Sequence, residues 1–330
     1  MPQPERPDEF SLIEKLFAPL AADAPGALGL TDDAAIFSPT AGMETVLTVD
    51  AIVEGVHFLG TDPAGSVAKK LLRVNLSDLA AKGADPRGYL MVTSWRPDTP
   101  LAWMEAFTEG LRGDQLRFGI SLWGGDTVST PGPLSFSLTA IGEVPQGGMI
   151  RRGGARAGDA IYVTGTLGDG ALGLAAARGQ LPALAAGDLD HLIGRYRCPE
   201  PRSTVGPRLR GLAHAALDVS DGLLADLEHL CRVSGVGAHV ETAALPLSDA
   251  AGKALAGDSR LMETILTGGD DYEILFAAPP AHAAGIARVA AETGVPITRI
   301  GWIDDAGEGV LALGADGRPL IPKQLGFRHF

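Results

Sequence analysis

Apolar side chains recur at helical spacing in FSLIEKLFAPLA, where Phe10, Ile13, Leu16, Phe17 and Leu20 predict a helix over residues 10–21. ETVLTVD then predicts a core strand that ends on the carboxylate of Asp50, and a mobile polar loop turning at Glu54 and Gly55 brings His57 close behind it. From Ser66 the segment SVAKKLLRVNLSDLAAKGAD returns to helical spacing. Its stripe is Val67, Leu71, Val74 and Leu79, and its stop is Gly83. A second helix is predicted over Leu101–Arg112. FGISLWGGDT reads as a strand running into a Gly-Gly-Asp turn, and PLSFSLTAIGEV as another strand.

Between residues 145 and 159 the pattern gives way to PQGGMIRRGGARAGD, dense in glycine and arginine, and a domain boundary is expected there. The expected division is an α/β domain over 1–150 and a second, glycine-rich α/β domain over 151–330. AIYVTG restarts a strand, and GTLGDGALGLAAARG continues into a turn and a helix. AALDVSDGLLADLEHLCRVSG is again strand, turn and helix, with Leu223, Leu227, Leu230 and Cys231 on the buried side. ILTGGDDYEILFAAP is a loop feeding a strand, and residues 282–293 are helical. Strands and helices mix in both halves, so the fold class is α/β or α+β.

Composition sharpens this picture. Across 330 residues, 45% are hydrophobic but only 5% aromatic, so the core is expected to rest mainly on Ala, Val, Leu and Ile. The 27 basic and 40 acidic residues give a net charge of −13, which offers no long-range attraction to nucleic acid or anionic lipid. Any phosphate would have to be bound through cations and a few local arginines. The two cysteines, Cys198 and Cys231, form neither a disulfide framework nor a zinc motif. MPQPERPDEF is polar and proline-rich, unlike a signal peptide, and no apolar run could cross a bilayer. A soluble, cytoplasmic protein is expected.

The candidate chemistry lies in aspartates beside Gly, Ser or Thr: Asp32, Asp33, Asp50, Asp78, Asp126, Asp218, Asp221, Asp270 and Asp271. Singly, each reads as a cap or turn residue. Asp78 is different, because it sits inside a helix, where Asp is a poor former and would need a counter-charge if packed. Together the set suggests several hard divalent cations, with Thr48 and Ser220 able to add hydroxyl oxygens. Structural calcium is the competing reading, although no EF-hand loop is present. Nucleotide phosphates are natural partners for such ions. The chain has neither a GxxxxGK[ST] loop nor protein-kinase signatures, and GTLGDG has the wrong spacing for a dinucleotide loop. Arg151, Arg152 and Arg156 fit either a solvated linker face or phosphate contact.

VDAIVEGVHF, NLSDLAAKGADP, GGDT, RRGGARAGD, YVTGTLGDGALGL, LDVSDGLLADL and GGDDYEILF follow one another over nearly the whole chain. In this order they closely resemble the thiamine-monophosphate kinase family, within the superfamily of ATP-using enzymes that includes aminoimidazole ribonucleotide synthetase. The resemblance implies a two-domain fold whose N-terminal sheet pairs across a homodimer, and MgATP-dependent conversion of thiamine monophosphate to thiamine diphosphate. On the same basis Asp33, Thr48, Asp50, Asp78, Asp126, Asp218 and Asp221 match magnesium positions. Gly125, Asp126, Arg152 and Ser220 match ATP positions, while His57, Asp270 and Phe327 match substrate positions. The sequence departs from the family at Thr31 (usually Gly), Lys82 (often Met) and Asp270 (often Glu).

The expected mechanism is direct in-line transfer to the substrate's own ionised phosphate, so no strong base is required, and His57 positions the acceptor. A selenophosphate synthetase would carry a reactive N-terminal Cys or selenocysteine. A hydrogenase-maturation relative would end in a cysteine-bearing tail rather than FRHF. A non-catalytic magnesium- or nucleotide-binding regulator is the rival from another class.

Overall fold

A computed structural model describes residues 8–181, 184–305 and 309–327; the MPQPERP stretch and the last three residues lie outside it. The chain forms two compact units, Met1–Leu79 with Asp85–Gly147, and Ala80–Ala84 with Gly148–Phe330.

The first unit begins with α1 (Glu9–Leu12), which runs on as a π-turn over Ile13–Phe17 and a 3-10 turn over Ala18–Ala21. The predicted helix is therefore irregular, with Pro19 inside its tightened end. Leu16, Phe17 and Leu20 are buried as their spacing requires, whereas Phe10 is 78% exposed and does not join the stripe. The unit continues as β1 (Met43–Val53), α2 (Ala64–Ala81), β2 (Asp85–Trp95), α3 (Leu101–Phe118), β3 (Ser121–Ser129) and β4 (Ser135–Pro145). The sheet order is β1-β4-β2-β3, and only β2 and β3 run parallel.

Two expectations change here. β1 does not end on Asp50, because its pairing with β4 continues to Val53 opposite Ser135. Nor is Gly-Gly-Asp a turn: Gly124, Gly125 and Asp126 lie within β3, opposite Leu90, Met91 and Val92. A side chain at Gly125 would put its Cβ 1.9 Å from the Met91 carbonyl oxygen, so glycine here serves close strand approach rather than reversal.

Alternation sorts the sheet into two faces. On one, Trp95 and Phe136 pack with Trp103 and Phe107 of α3; the Phe107 and Phe136 rings are 4.6 Å apart and Trp95 meets Phe136 at 5.0 Å. The buried residues are mainly Ala, Val, Leu and Ile, as composition suggested, and several of the few aromatics concentrate in this one cluster. The other face displays Leu47, Val49, Leu90, Val92 and Val128, each at least 40% exposed. Beneath α2, Arg73 grips Asp114 through two hydrogen bonds of 2.6 and 2.9 Å, pairing two buried charges.

The second unit contains β5 (Ala160–Thr164), α4 (Asp169–Ala177), α5 (Ala186–Arg197), β6 (Ala215–Asp218), α6 (Leu223–Ser234), β7 (Val236–Glu241), α7 (Asp249–Gly257), α8 (Leu261–Thr267), β8 (Ile274–Ala278), α9 (Ala283–Thr293), β9 (Ile297–Asp305), β10 (Val310–Leu313) and β11 (Pro319–Leu320). Its sheet order is β11-β10-β7-β9-β5-β8-β6. The core is aliphatic, and Leu223, Leu227, Leu230 and Cys231 of α6 are buried in it, as their spacing predicts. Edge strand β6 is closed by side chain and loop: Lys82 Nζ donates to the Ala216 carbonyl at 2.7 Å, and the Ala216 N–H donates to the Arg151 carbonyl.

Phe136 contacts four other rings and is fully buried. Phe136→Ala should lose about 3–5 kcal/mol in urea unfolding; a loss below about 1 kcal/mol would show that the aromatic cluster does not hold the first unit together.

Candidate active site

In the first unit three of the expected residues meet. Thr48 and Asp50 share the inner face of β1, and α2 lies across them. The Thr48 hydroxyl donates to Asp78 Oδ2 at 2.5 Å, and the Asp50 N–H donates to Asn75 Oδ1 at 3.1 Å. Asn75 is itself held by its side-chain N–H bond to the Leu71 carbonyl. Asp78, half-buried within α2, is thus met by a hydroxyl; no counter-charge is needed to explain its place.

His57 stands on a closed turn rather than a mobile loop. The Gly55 and His57 amides donate to the carbonyls of Phe58 and Val53, and Lys70 Nζ donates to the His57 carbonyl at 3.0 Å. Its Nδ1 accepts the Val53 N–H at 3.1 Å, so the neutral ring carries its proton on Nε2, a donor suited to a phosphate oxygen.

Asp126 is placed differently. Its register beside Val92 puts it on the exposed sheet face, opposite the face that carries Thr48 and Asp50. Asp33 lies on an exposed loop after Leu28, Gly29 and Leu30, all with positive φ. Thr31 has φ −106, so its departure from glycine strains nothing, the left-handed turn having been completed just before it.

In the second unit the expected residues gather past the end of β6. The Asp270 N–H donates to the Ser220 carbonyl and the Tyr272 N–H to the Val219 carbonyl, while the Val219 N–H donates to the Glu273 carbonyl. The Phe327 N–H reaches the Asp221 carbonyl at 2.9 Å. Asp218, Ser220, Asp221, Asp270 and Phe327 are thereby drawn into one region. Asp270 holds φ 71, a backbone state that Asp tolerates better than most side chains, which supplies a conformational reason for Asp here. Exposed Arg152 follows Arg151, whose carbonyl is tied to β6 two residues before Asp218.

Beneath these loops lie carboxylates whose role the sequence did not reveal. Asp226 Oδ2 accepts the amides of Ser220, Asp221 and Gly222 at 3.0, 3.0 and 3.2 Å. Asp271, grouped by sequence with the ligand candidates, is instead fully buried and accepts the amides of Gly168 and Gly170 at 2.7 and 2.9 Å. Burial pushes both carboxyls up to about 7, against the pull of those amide bonds. The available signal for Asp226 was an acidic residue in the first turn of a helix following Ser-Asp-Gly.

The donors in both regions are hard oxygens, carboxylate and hydroxyl, which is the chemistry magnesium takes. Among the described residues no three His, Cys, Asp or Glu side chains form a metal-holding group by themselves.

Residues 31–144 match the family described as AIR synthase related protein, N-terminal domain, and residues 156–314 match the corresponding C-terminal domain. The chain belongs to the AIR synthase related proteins, and its two-unit mixed α/β architecture is theirs. Within them it belongs to the thiamine-monophosphate kinase family. The thiamine-monophosphate kinase of Caulobacter vibrioides is 45% identical over 327 residues, covering 98% of this chain and 91% of that protein. The crystal structure of the Stenotrophomonas maltophilia K279a kinase is 42% identical, with TM-score 0.84, and covers 94% of this chain and 98% of that one. AaThiL complexed with AMPPCP and TMP is 29% identical, with TM-score 0.76, over 98% and 97% of the two chains.

Because Asp271 keeps its proton in the folded state well above the ordinary carboxyl value, its contribution to stability is lost as pH rises from about 4 through 7. Asp271→Asn cannot titrate. The melting temperature of the variant minus that of the native chain should therefore rise between pH 5 and pH 8; a difference independent of pH would contradict the buried, proton-holding carboxyl.

Proposed function

We propose that the chain phosphorylates thiamine monophosphate to thiamine diphosphate with ATP as donor. The observation that carries this is the gathering of Ser220, Asp221, Asp270 and Phe327 past β6: a hydroxyl and carboxylate on one loop, and an acid and an aromatic ring beside it. The first pair suits a metal-bound phosphate chain, and the second a cationic, ring-bearing vitamin.

Magnesium ligands in this reading are Asp33, Thr48, Asp50, Asp78 and Asp126 in the first unit, and Asp218 and Asp221 in the second. When bound, magnesium supplies charge neutralisation between two phosphate-bearing anions. Gly125, Asp126, Arg152 and Ser220 hold ATP. His57 orients the acceptor phosphate through Nε2–H; that phosphate is already ionised near neutral pH, so transfer in line requires no strong base. Asp270 and Phe327 face the vitamin.

The chain works as a homodimer. Its first-unit sheet shows water the apolar side chains of Leu47, Val49, Leu90, Val92 and Val128 on one face, which suits a partner surface. Asp126 lies on that face, so pairing two copies would carry it into the interface. Among the described residues no helix is long and apolar enough to cross a membrane, which agrees with work in the cytoplasm.

Incubation with ATP, magnesium and thiamine monophosphate should yield thiamine diphosphate. Asp126→Asn should lower turnover by at least about 100-fold with an unchanged circular dichroism spectrum; near-normal activity would count heavily against the assigned site. Val49→Glu, which places a charge among the exposed apolar side chains, should shift the chain to monomer in light scattering, and a persisting dimer would move the interface elsewhere.

A further inference from the structure

We propose that Asp226 and Asp271 are positioning residues, each shaping the backbone of one half of the site: Asp226 the nucleotide-side loop, Asp271 the vitamin-side loop. The inference rests on the functional reading given above and goes beyond it, since neither carboxyl is assigned contact with substrate or metal.

Asp226 is 6% exposed, and one of its oxygens accepts three consecutive amides, those of Ser220, Asp221 and Gly222. Three successive N–H groups converge on one point only if the intervening peptides curl around it, as in an anion nest. Here the anion is the protein's own side chain, reaching back from the first turn of α6. It fixes the peptide planes from which the side chains of Ser220 and Asp221 start. The far side of the same segment is closed off, because a Cβ on Gly222 would lie 2.7 Å from the Thr267 carbonyl oxygen.

Asp271 does the corresponding work on the other loop with both oxygens. It is 1% exposed and pinned to the Gly168 and Gly170 amides, between Asp270 at φ 71 and Tyr272 at φ 53. Two left-handed residues flanking one buried side chain are unfavourable by themselves and persist only where the surroundings impose them. The imposing contacts are visible. A Cβ on Gly170 would fall 2.2 Å from the Asp270 carbonyl oxygen, so α4 presses directly on the loop. Arg195 donates to the Asp271 carbonyl at 3.3 Å, and Arg195 and Arg202 hold the next acid, Glu273, at 2.9 and 2.5 Å. Asp270 is thus aimed by the residue that follows it.

The two roles separate in steady-state kinetics with each substrate varied in turn, native chain alongside. Asp226→Ala should raise KM for MgATP by about tenfold or more while KM for thiamine monophosphate stays within about threefold. Asp226→Asn can present its amide oxygen to the same three N–H groups and should restore KM for MgATP to within about threefold of native. Asp271→Asn turns an NH2 against one of two amide donors, and should raise KM for thiamine monophosphate by about tenfold with KM for MgATP little changed. Should Asp226→Ala not fold, Asp226→Glu serves in its place, because the added methylene moves the oxygen off the three amides. Equal rises in both constants for each variant, an Asn as damaging as Ala at 226, or no change at all would overturn the positioning roles. Native chain without turnover would overturn the proposed function itself, a result distinguishable from undirected changes in KM.

Discussion

Backbone pairing between Val219–Ser220 and Asp270–Glu273 is the constraint on which the candidate site depends. These loops are fifty residues apart in sequence, and they meet because β6 and β8 are neighbours whose ladder, ending at Asp218 opposite Ile274, continues irregularly beyond the strands. A regular ladder would bury the side chains past that point between layers. Left-handed turns at Asp270 and Tyr272 break the alternation instead. Glycines at 222, 269 and 170 then let backbone approach backbone where any Cβ would collide. The result is a rigid polar rim built on a sheet end, with Phe327 tied to it through Asp221.

Charge beneath that rim is nearly balanced. Arg195 and Arg202 face Glu273, and Asp169 takes hydroxyl donors from Thr166 and Ser248. Asp271 adds a further carboxyl to a place where solvent cannot reach, which is why burial raises it more than two amide bonds lower it. In the first unit the same economy appears in milder form, as a hydroxyl rather than a cation answers Asp78. Acidic groups met chiefly by hydroxyl and amide donors retain the capacity to take an added cation.

Periodicity made the packed elements legible. The stripes of α2 and α6 emerged as their spacing demanded: α6 buries one side, while α2 is buried almost all round from Val67 to Ala81. It failed where local signals contradict tertiary use. The spacing marked no element over DPRGYLMVTSW, which forms β2, and Gly-Gly in β3 reads as reversal although it answers close approach to Met91. Phe10 keeps helical spacing but stands in a first turn open to water. For the site, the residue types and motif order were readable, and the family with them. The opposite facing of Asp126 and Asp50 was not, because it depends on strand register. The burial of Asp271 was equally hidden, since neighbouring aspartates look alike until the fold turns one inward.

A crystal structure with a non-hydrolysable ATP analogue, magnesium and thiamine monophosphate tests the central claim most directly. Metal density bonded to Asp218 or Asp221, with the vitamin ring against Phe327 and within reach of Asp270, is the result predicted. Metal and vitamin bound away from the loops past β6 would contradict it.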